Sequence, residues 1–194
     1  LGAGGQTAKQ VVESGQIGQP VAATAFMAGH GHESWHPNPS FYYQLGGGPM
    51  FDMGPYYLTA LVNLMGPIEA VSAMTGRSLP ERVAQNEQVK GQVIPVNVDT
   101  HVAGTIQFMN GAIATIIMSF DVWQHQLPRI EIHGTEGSMI VPDPNRFGGD
   151  VQVWRPDQPA WETVVPVGRS DIQRGAGVAD MACAIRSGTS HRAS

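Results

Sequence analysis

Three of the seven histidines of this chain fall within seven residues, in His30-Gly31-His32-Glu33-Ser34-Trp35-His36. Imidazoles beside a carboxylate can do three things. They can ligate zinc or a similar ion, for which neutral imidazole and carboxylate are ordinary donors. His30, His32 and His36 would then serve a metal-dependent hydrolase or lyase. They can form the polar wall of a pocket for a hydroxylated ligand, with Trp35 stacking on the apolar face of a sugar. Or they can cap backbone groups of a folded loop. The spacing matches no regular zinc-site pattern, which favours the ligand wall over the metal.

A second cluster is Gly46-Gly47-Gly48-Pro49-Met50-Phe51-Asp52-Met53-Gly54-Pro55-Tyr56-Tyr57. In a helix, Asp52 and Tyr56 share one face, one turn apart. They lie near the helix start, after a glycine hinge that lets a ligand approach. A carboxylate and a phenol there can handle the proton of a substrate hydroxyl. The plainer reading is an acidic first turn and a core aromatic. Two further features are weaker. Gly2-Ala3-Gly4-Gly5 opens a helix and could hold phosphate, but no strand precedes it and no Gly-x-Gly-x-x-Gly is present. Cys183, on the small-residue side of the last helix, reads as a buried packing residue.

The elements that must position these groups follow from periodicity. Gln6 to Ser14 reads as a helix with Ala8, Val11 and Val12 on one side. Val21 to Met27 reads as a strand. Residues 29–48 have no periodicity, and a loop of about 20 structureless residues is often functional. Pro49 opens a helix that Pro55 should kink and Gly66-Pro67 should end. Beyond it the pattern turns to β. Ile68 to Thr75 is one strand. Val98 to Met109, Asn110-Gly111 and Ala112 to Phe120 form the strongest hairpin signal in the chain. A second hairpin joins Arg129 to His133 with Ser138 to Val141. Val151 to Trp154 and Glu162 to Val165 are short strands. Gly177 to Arg186 closes the chain as a helix with Val178, Met181, Ala182 and Ile185 on one side. Hairpins demand antiparallel pairing, so the class is α+β: a large, mostly antiparallel sheet with helices on one face.

Composition narrows the partners. The 194 residues are 42% hydrophobic and 14% charged, with net charge −5. Low surface charge points to a face buried against something else. Lys9 and Lys90 are the sole lysines and the arginines are scattered. That argues against nucleic acid or an anionic membrane, which need clustered positive charge. No apolar run approaches the roughly 20 residues of a membrane span, and no signal peptide is evident, so a cytoplasmic location is expected. The single cysteine excludes an internal disulfide and a multi-cysteine zinc site. The chain starts at Leu1 and ends soon after a helical pattern, so a fragment of a longer protein is expected.

Ile17-Gly18-Gln19-Pro20-Val21, then Gly46 to Tyr56, then Gly66-Pro67-Ile68, resembles the Gfo/Idh/MocA oxidoreductase family. Ile130-Glu131-Ile132-His133-Gly134-Thr135-Glu136-Gly137-Ser138 resembles its later glycine-threonine-glutamate-glycine hairpin, and His191-Arg192-Ala193-Ser194 the start of its last segment. The resemblance implies an NAD(P)-dependent dehydrogenase of sugars or polyols with an N-terminal nucleotide domain. It implies an α+β C-terminal domain whose open sheet face mediates homo-oligomers. Residues 1–15 would be the tail of the nucleotide domain and residues 16–194 the substrate-binding and oligomerisation domain. The family pattern after the glycines is Asp-x-x-x-His, the His acting on the hydroxyl proton. Asp52 matches, and Tyr56 stands at the His position. A phenol would serve there if its pKa were lowered from about 10; otherwise a histidine of the preceding loop takes the role.

On this reading Asp52 and Tyr56 are catalytic, and His32, Trp35, His36, Tyr42 and Tyr43 bind substrate. NAD or NADP serves the full-length enzyme and no cofactor is expected on this chain, which should not turn over alone. The alternative outside enzymes is a non-catalytic assembly or partner-binding module. Calorimetric titration with NADH and NADPH should therefore show no binding to the chain, because no strand, Gly-x-Gly-x-x-Gly, helix unit is present. Micromolar binding of either would contradict this.

Overall fold

The computed structural model describes residues 2–168 and 171–191. Leu1, Arg169, Ser170 and Arg192 to Ser194, part of the stretch compared above, lie outside the described residues. The expected hairpin forms around Asn110-Gly111. Strands β5 (His101–Phe108) and β6 (Ile113–Ser119) pair antiparallel with Thr105 opposite Thr115. The type of turn is set by Gly111, whose φ of 85° is in the left-handed region that favours glycine. The Asn110 side chain donates to the Met65 carbonyl at 3.0 Å and accepts from the Ala112 N–H. The turn is thereby tied to the end of the preceding helix.

The other strands are β1 (Pro20–Ala28), β2 (Ile68–Gly76), β3 (Glu81–Val83), β4 (Val93–Pro95), β7 (Ile130–Gly134), β8 (Ser138–Val141), β9 (Gln152–Trp154) and β10 (Glu162–Thr163). Eight of them build one sheet in the order β10-β9-β8-β7-β1-β6-β5-β2, and β3 pairs with β4 apart from it. The pairing of β1 with β6 is parallel and the other pairings of the large sheet, among the described residues, are antiparallel. The sheet is thus mixed but mostly antiparallel, as the hairpins require.

Period-two alternation sorts the two faces. Ile106, Ala114, Ala23, Ile132, Met139 and Val153 lie side by side across six strands. None is more than 3% exposed. Helices α1 (Ala3–Glu13) and α3 (Gly54–Met65) close this face with Ala8, Val11, Tyr57, Leu61 and Leu64. The opposite face carries the row Thr105, Thr115, Thr24, Glu131 in register. Among the described residues no helix covers that row, whose members are exposed or half-buried. Strand β2, at the edge, is exposed along almost its whole length.

Several sequence expectations change. The helix after Pro49 is two helices: α2 (Pro49–Asp52) and α3, separated at Met53. Pro55 has no N–H, and its ring excludes the carbonyl four residues back, so the helix breaks rather than bends. The Gly2-Ala3-Gly4-Gly5 turn holds no room for phosphate. The Ala3 N–H already donates to the Phe147 carbonyl at 2.9 Å, and a Cβ on Gly2 would collide with Phe147 backbone. The glycines are there for close packing. Cys183 is exposed, not buried. The last helix, α4 (Ala176–Ser187), buries Ala184 alone among its described residues. Its stripe Val178, Met181 and Ile185 faces outward, so Cys183 has no core to join. Periodicity also gave no warning of β3 and β4, or of the short 3₁₀ turn at Ser40–Tyr43. Among the described residues no helix is long and apolar enough to cross a membrane.

Burial makes a direct contrast in stability. Ile106 and Val71 are cross-strand neighbours, yet Ile106 is 2% and Val71 69% exposed. Ile106→Ala should cost about 2–5 kcal/mol in denaturant unfolding, and Val71→Ala about 0.5 kcal/mol or less. Equal costs would contradict this layering.

Candidate active site

The loop of residues 29–48 is held at both of its ends. Gly29 N–H donates to the Ser119 carbonyl, and Val122 N–H donates to the Gly29 carbonyl. The start of the loop is therefore stitched to the C-terminal end of β6. At the far end, Gly48 N–H donates to the Tyr42 carbonyl at 2.7 Å, and Asp52 N–H donates to the Gly48 carbonyl. Gly48, at φ 86°, turns the chain into α2, and this places Asp52 over the loop.

Beneath the loop lies a buried charge network. Arg82, from β3, is 4% exposed and Glu33 3%. One guanidinium nitrogen of Arg82 donates to Glu33 Oε1 at 2.9 Å. The other donates to the Phe120 carbonyl at 3.1 Å and to Asp121. Asp121 also accepts from the Thr100 hydroxyl at 2.7 Å. The Tyr43 hydroxyl donates to Glu33 and accepts from the His32 N–H at 3.3 Å. Gly31 must be glycine. Its φ is 85°, and a Cβ there would collide with Tyr43 Oη and Glu33. Burial, then the Glu33 carboxylate, pushes the Tyr43 phenol well above its ordinary pKa.

Above the network, His32 stacks on Tyr42 with ring centroids 3.8 Å apart and meets Phe120 edge-on at 4.8 Å. Its Nε2 lies 3.4 Å from Asp52 Oδ2, while its Nδ1 is buried without a hydrogen-bond partner among the described residues. Burial first, and then His36, lowers the His32 pKa from 6.5 to about 4, with Glu33 opposing. The ring is therefore neutral at pH 7, with its proton best placed on Nε2 toward Asp52. Burial raises the Asp52 pKa above the ordinary carboxylate value. Burial and Asp52 raise that of Tyr42.

The site residues expected from sequence divide into three groups. His32, Trp35, His36, Tyr42 and Asp52 form one aromatic cluster around the carboxylate. Trp35 is 58% exposed and so offers a face to a ligand. The Nδ1 of His36 accepts from the Asn38 N–H at 3.0 Å, which leaves its other nitrogen for one. Tyr43 is fully buried with its hydroxyl given to Glu33. Its position makes it a support of the loop rather than a pocket wall. Tyr56 points elsewhere: its hydroxyl accepts from Arg174 at 3.4 Å. The broken helix explains why it and Asp52 have different partners.

His30 also stands apart from His32 and His36. It stacks on Trp123 with centroids 3.3 Å apart and planes 15° from parallel. Among the described residues no three His, Cys, Asp or Glu side chains converge on a point that could hold a metal ion. The three-histidine metal reading thus has no donor set in this geometry.

Sequence reasoning missed Arg82, Asp121, Thr100, Phe120 and Trp123. Arg82 reaches Glu33 and Asp121 across long stretches of chain, which no local spacing reports, whereas Thr100 meets Asp121 at the open end of the expected hairpin. Trp123 had one local signal, its place just after a strand end.

Residues 6–140 match the family model described as GFO/IDH/MocA C-terminal domain. A levoglucosan dehydrogenase from Pseudarthrobacter phenanthrenivorans is 28% identical over 150 residues, covering 69% of this chain and 37% of that protein. The structure of levoglucosan dehydrogenase with NADH and levoglucosan superposes with a TM-score of 0.71 at 25% identity, covering 99% of this chain and 56% of that one. Its complex with NADH and L-sorbose gives 0.73 at 25%, covering 99% and 57%. An aldose–aldose oxidoreductase from Caulobacter crescentus, at 20% identity and TM-score 0.69 over 98% of this chain and 52% of that one, shares the fold. The chain spans little more than a third of the curated relative's length.

The low pKa of His32 has a definite sign in stability. The unfolded chain binds a proton at His32 near pH 6.5, whereas the folded chain resists it down to about 4. Stability from the neutral ring is full above about pH 6.5 and is lost as pH falls toward 4. Melting followed between pH 7 and 4 should show wild type losing more stability over this window than His32→Gln. Parallel curves would contradict the assignment.

Proposed function

The chain belongs to the GFO/IDH/MocA family through its C-terminal domain, and on that premise we propose that it is the substrate-binding part of an NAD(P)-dependent sugar or polyol dehydrogenase. The observation that carries this reading is the Asp52–His32 pair, set in an aromatic cluster beside the exposed indole of Trp35. The match to a sugar dehydrogenase supports the substrate class.

The division of work follows from the contacts. His32, neutral, sets its Nε2 3.4 Å from Asp52 Oδ2 and turns the positive end of its N–H dipole toward the carboxylate. Asp52 Oδ1 has no protein partner among the described residues and is free to accept a hydrogen bond from a substrate hydroxyl. A carboxylate raised by burial is a better proton acceptor than an ordinary one. Asp52 therefore takes the hydroxyl proton as the carbon loses hydride. Trp35 and the free nitrogen of His36 hold the rest of the sugar, an apolar face on the indole and a hydroxyl on the imidazole. Tyr56 and Arg174 form a neighbouring polar edge that can bind a further hydroxyl.

The turn at Gly2 to Gly5 does not fit a dinucleotide phosphate, since Phe147 fills it. The nicotinamide's chemistry, acceptance of hydride, belongs to the rest of the dehydrogenase. We place NAD or NADP there, with residues 1–15 leading from that domain.

The open sheet face is our proposed assembly surface. Its centre is the threonine row of β1, β6 and β5, small and neutral enough to meet a second sheet. Sedimentation velocity should show self-association of the chain, and Thr115→Arg should abolish it while leaving the melting temperature within a few degrees. A monomer at every concentration would contradict the surface.

In the full-length dehydrogenase, Asp52→Asn should lower kcat/KM by about 10²-fold or more. It should also raise the melting temperature at pH 7, because it removes a half-buried charge. Tyr56→Phe should lower kcat/KM by about tenfold or less, since it loses one hydrogen bond. A loss in Tyr56→Phe equal to that in Asp52→Asn would return the acid–base role to the phenol.

A further inference from the structure

Buried ion networks are weak sources of stability, because desolvation offsets most of the attraction. What the network under this loop supplies is position. Two routes run from Arg82 to His32. In one, Arg82 binds Glu33, Glu33 accepts from the Tyr43 hydroxyl, and that hydroxyl accepts from the His32 N–H. In the other, Arg82 holds the Phe120 carbonyl and its neighbour Asp121, and the Phe120 ring meets the edge of His32. One guanidinium fork thus fixes the backbone of His32 from one side and its ring from another. A lysine cannot do both at once, since it lacks the planar fork. Arg82 lies on β3, whose pairing with β4 stands apart from the main sheet.

We propose that Arg82 is a positioning residue for His32, holding the imidazole flat on Tyr42 with Nε2 at Asp52. The proposal rests on the reading that the Asp52–His32 pair handles the hydroxyl proton. The titratable and charged groups that face His32 are Asp52 from α2, Tyr42 and Tyr43 from the 3₁₀ turn, and Glu33 and His36 from its own loop. Phe120, from the end of β6, contributes no charge.

The test is a nuclear magnetic resonance titration of the His32 ring in the chain itself. Wild type should titrate near pH 4 with ring protons shifted by the Tyr42 ring. In Arg82→Met the loosened ring hydrates and Glu33 loses its partner charge. Both effects favour the imidazolium, so the midpoint should rise to about 5 or above and the ring-current shift should shrink. Tyr43→Phe, which leaves the Arg82–Asp121 pair intact, should move both readouts the same way but less. If Arg82→Met fails to fold, Tyr43→Phe carries the test. Arg82→Lys should restore the fold but not the wild-type His32 signals. In the full-length dehydrogenase, Arg82→Lys should lower kcat by about 10- to 100-fold with little change in KM. A folded Arg82→Met or Tyr43→Phe with an unchanged His32 midpoint and ring shift overturns the positioning role. An active Asp52→Asn with shifted His32 signals would instead overturn the proton-handling reading and leave the positioning intact.

Discussion

The site hangs on one buried cation. Arg82 sits where three separate parts of the chain meet: the histidine loop through Glu33, the end of β6 through Phe120 and Asp121, and the β3–β4 pair that carries it. Removing the guanidinium would leave the nearly inaccessible Glu33 without its cation, a cost of about 3–5 kcal/mol for a pair broken on one side. Removing both partners together would cost far less. The asymmetry explains why a network of little net stability can still fix a loop. The fork has one geometry that satisfies all its acceptors, and Tyr43 passes that geometry on to the backbone of His32.

A second constraint is the proline at position 55. It separates α2 from α3 and lets Asp52 and Tyr56 find different partners, His32 and Arg174. In one unbroken helix they would share a face and compete for a single substrate hydroxyl. Divided, they make an edge that, on the proposed function, has the acid–base group at one end and a neutral donor at the other. Asp52 is held where its charge is disfavoured, and His32 where its protonation is. Sites that work by proton transfer commonly carry such costs.

Much of the scaffold was legible because its signals are local. Asn110-Gly111 between alternating strands demanded a hairpin, Gly66-Pro67 demanded a helix end, and both are where periodicity put them. The cluster of His32, Trp35, His36, Tyr42 and Asp52 was also legible, since those residues are packed within about 20 positions of one another. What sequence could not report is long-range pairing. Arg82 lies 49 positions from Glu33 and 39 from Asp121, and an arginine between Glu81 and Val83 in an exposed-looking segment carries no sign of burial. Cys183 misled for the opposite reason: small residues around it mimic a packed face, but of the described residues of α4 only Ala184 is buried. Gly2 to Gly5 likewise reads as a ligand turn until Phe147 is seen filling it.

The central claim is that Asp52, oriented by His32, receives the proton of the sugar hydroxyl. A crystal structure of the full-length dehydrogenase with its cofactor and a bound sugar measures this most directly. The account predicts the reacting hydroxyl about 2.6–3.2 Å from Asp52 Oδ1, with His32 Nε2 still on Oδ2. A reacting hydroxyl seated instead on Tyr56, with Asp52 turned away from the sugar, would contradict it.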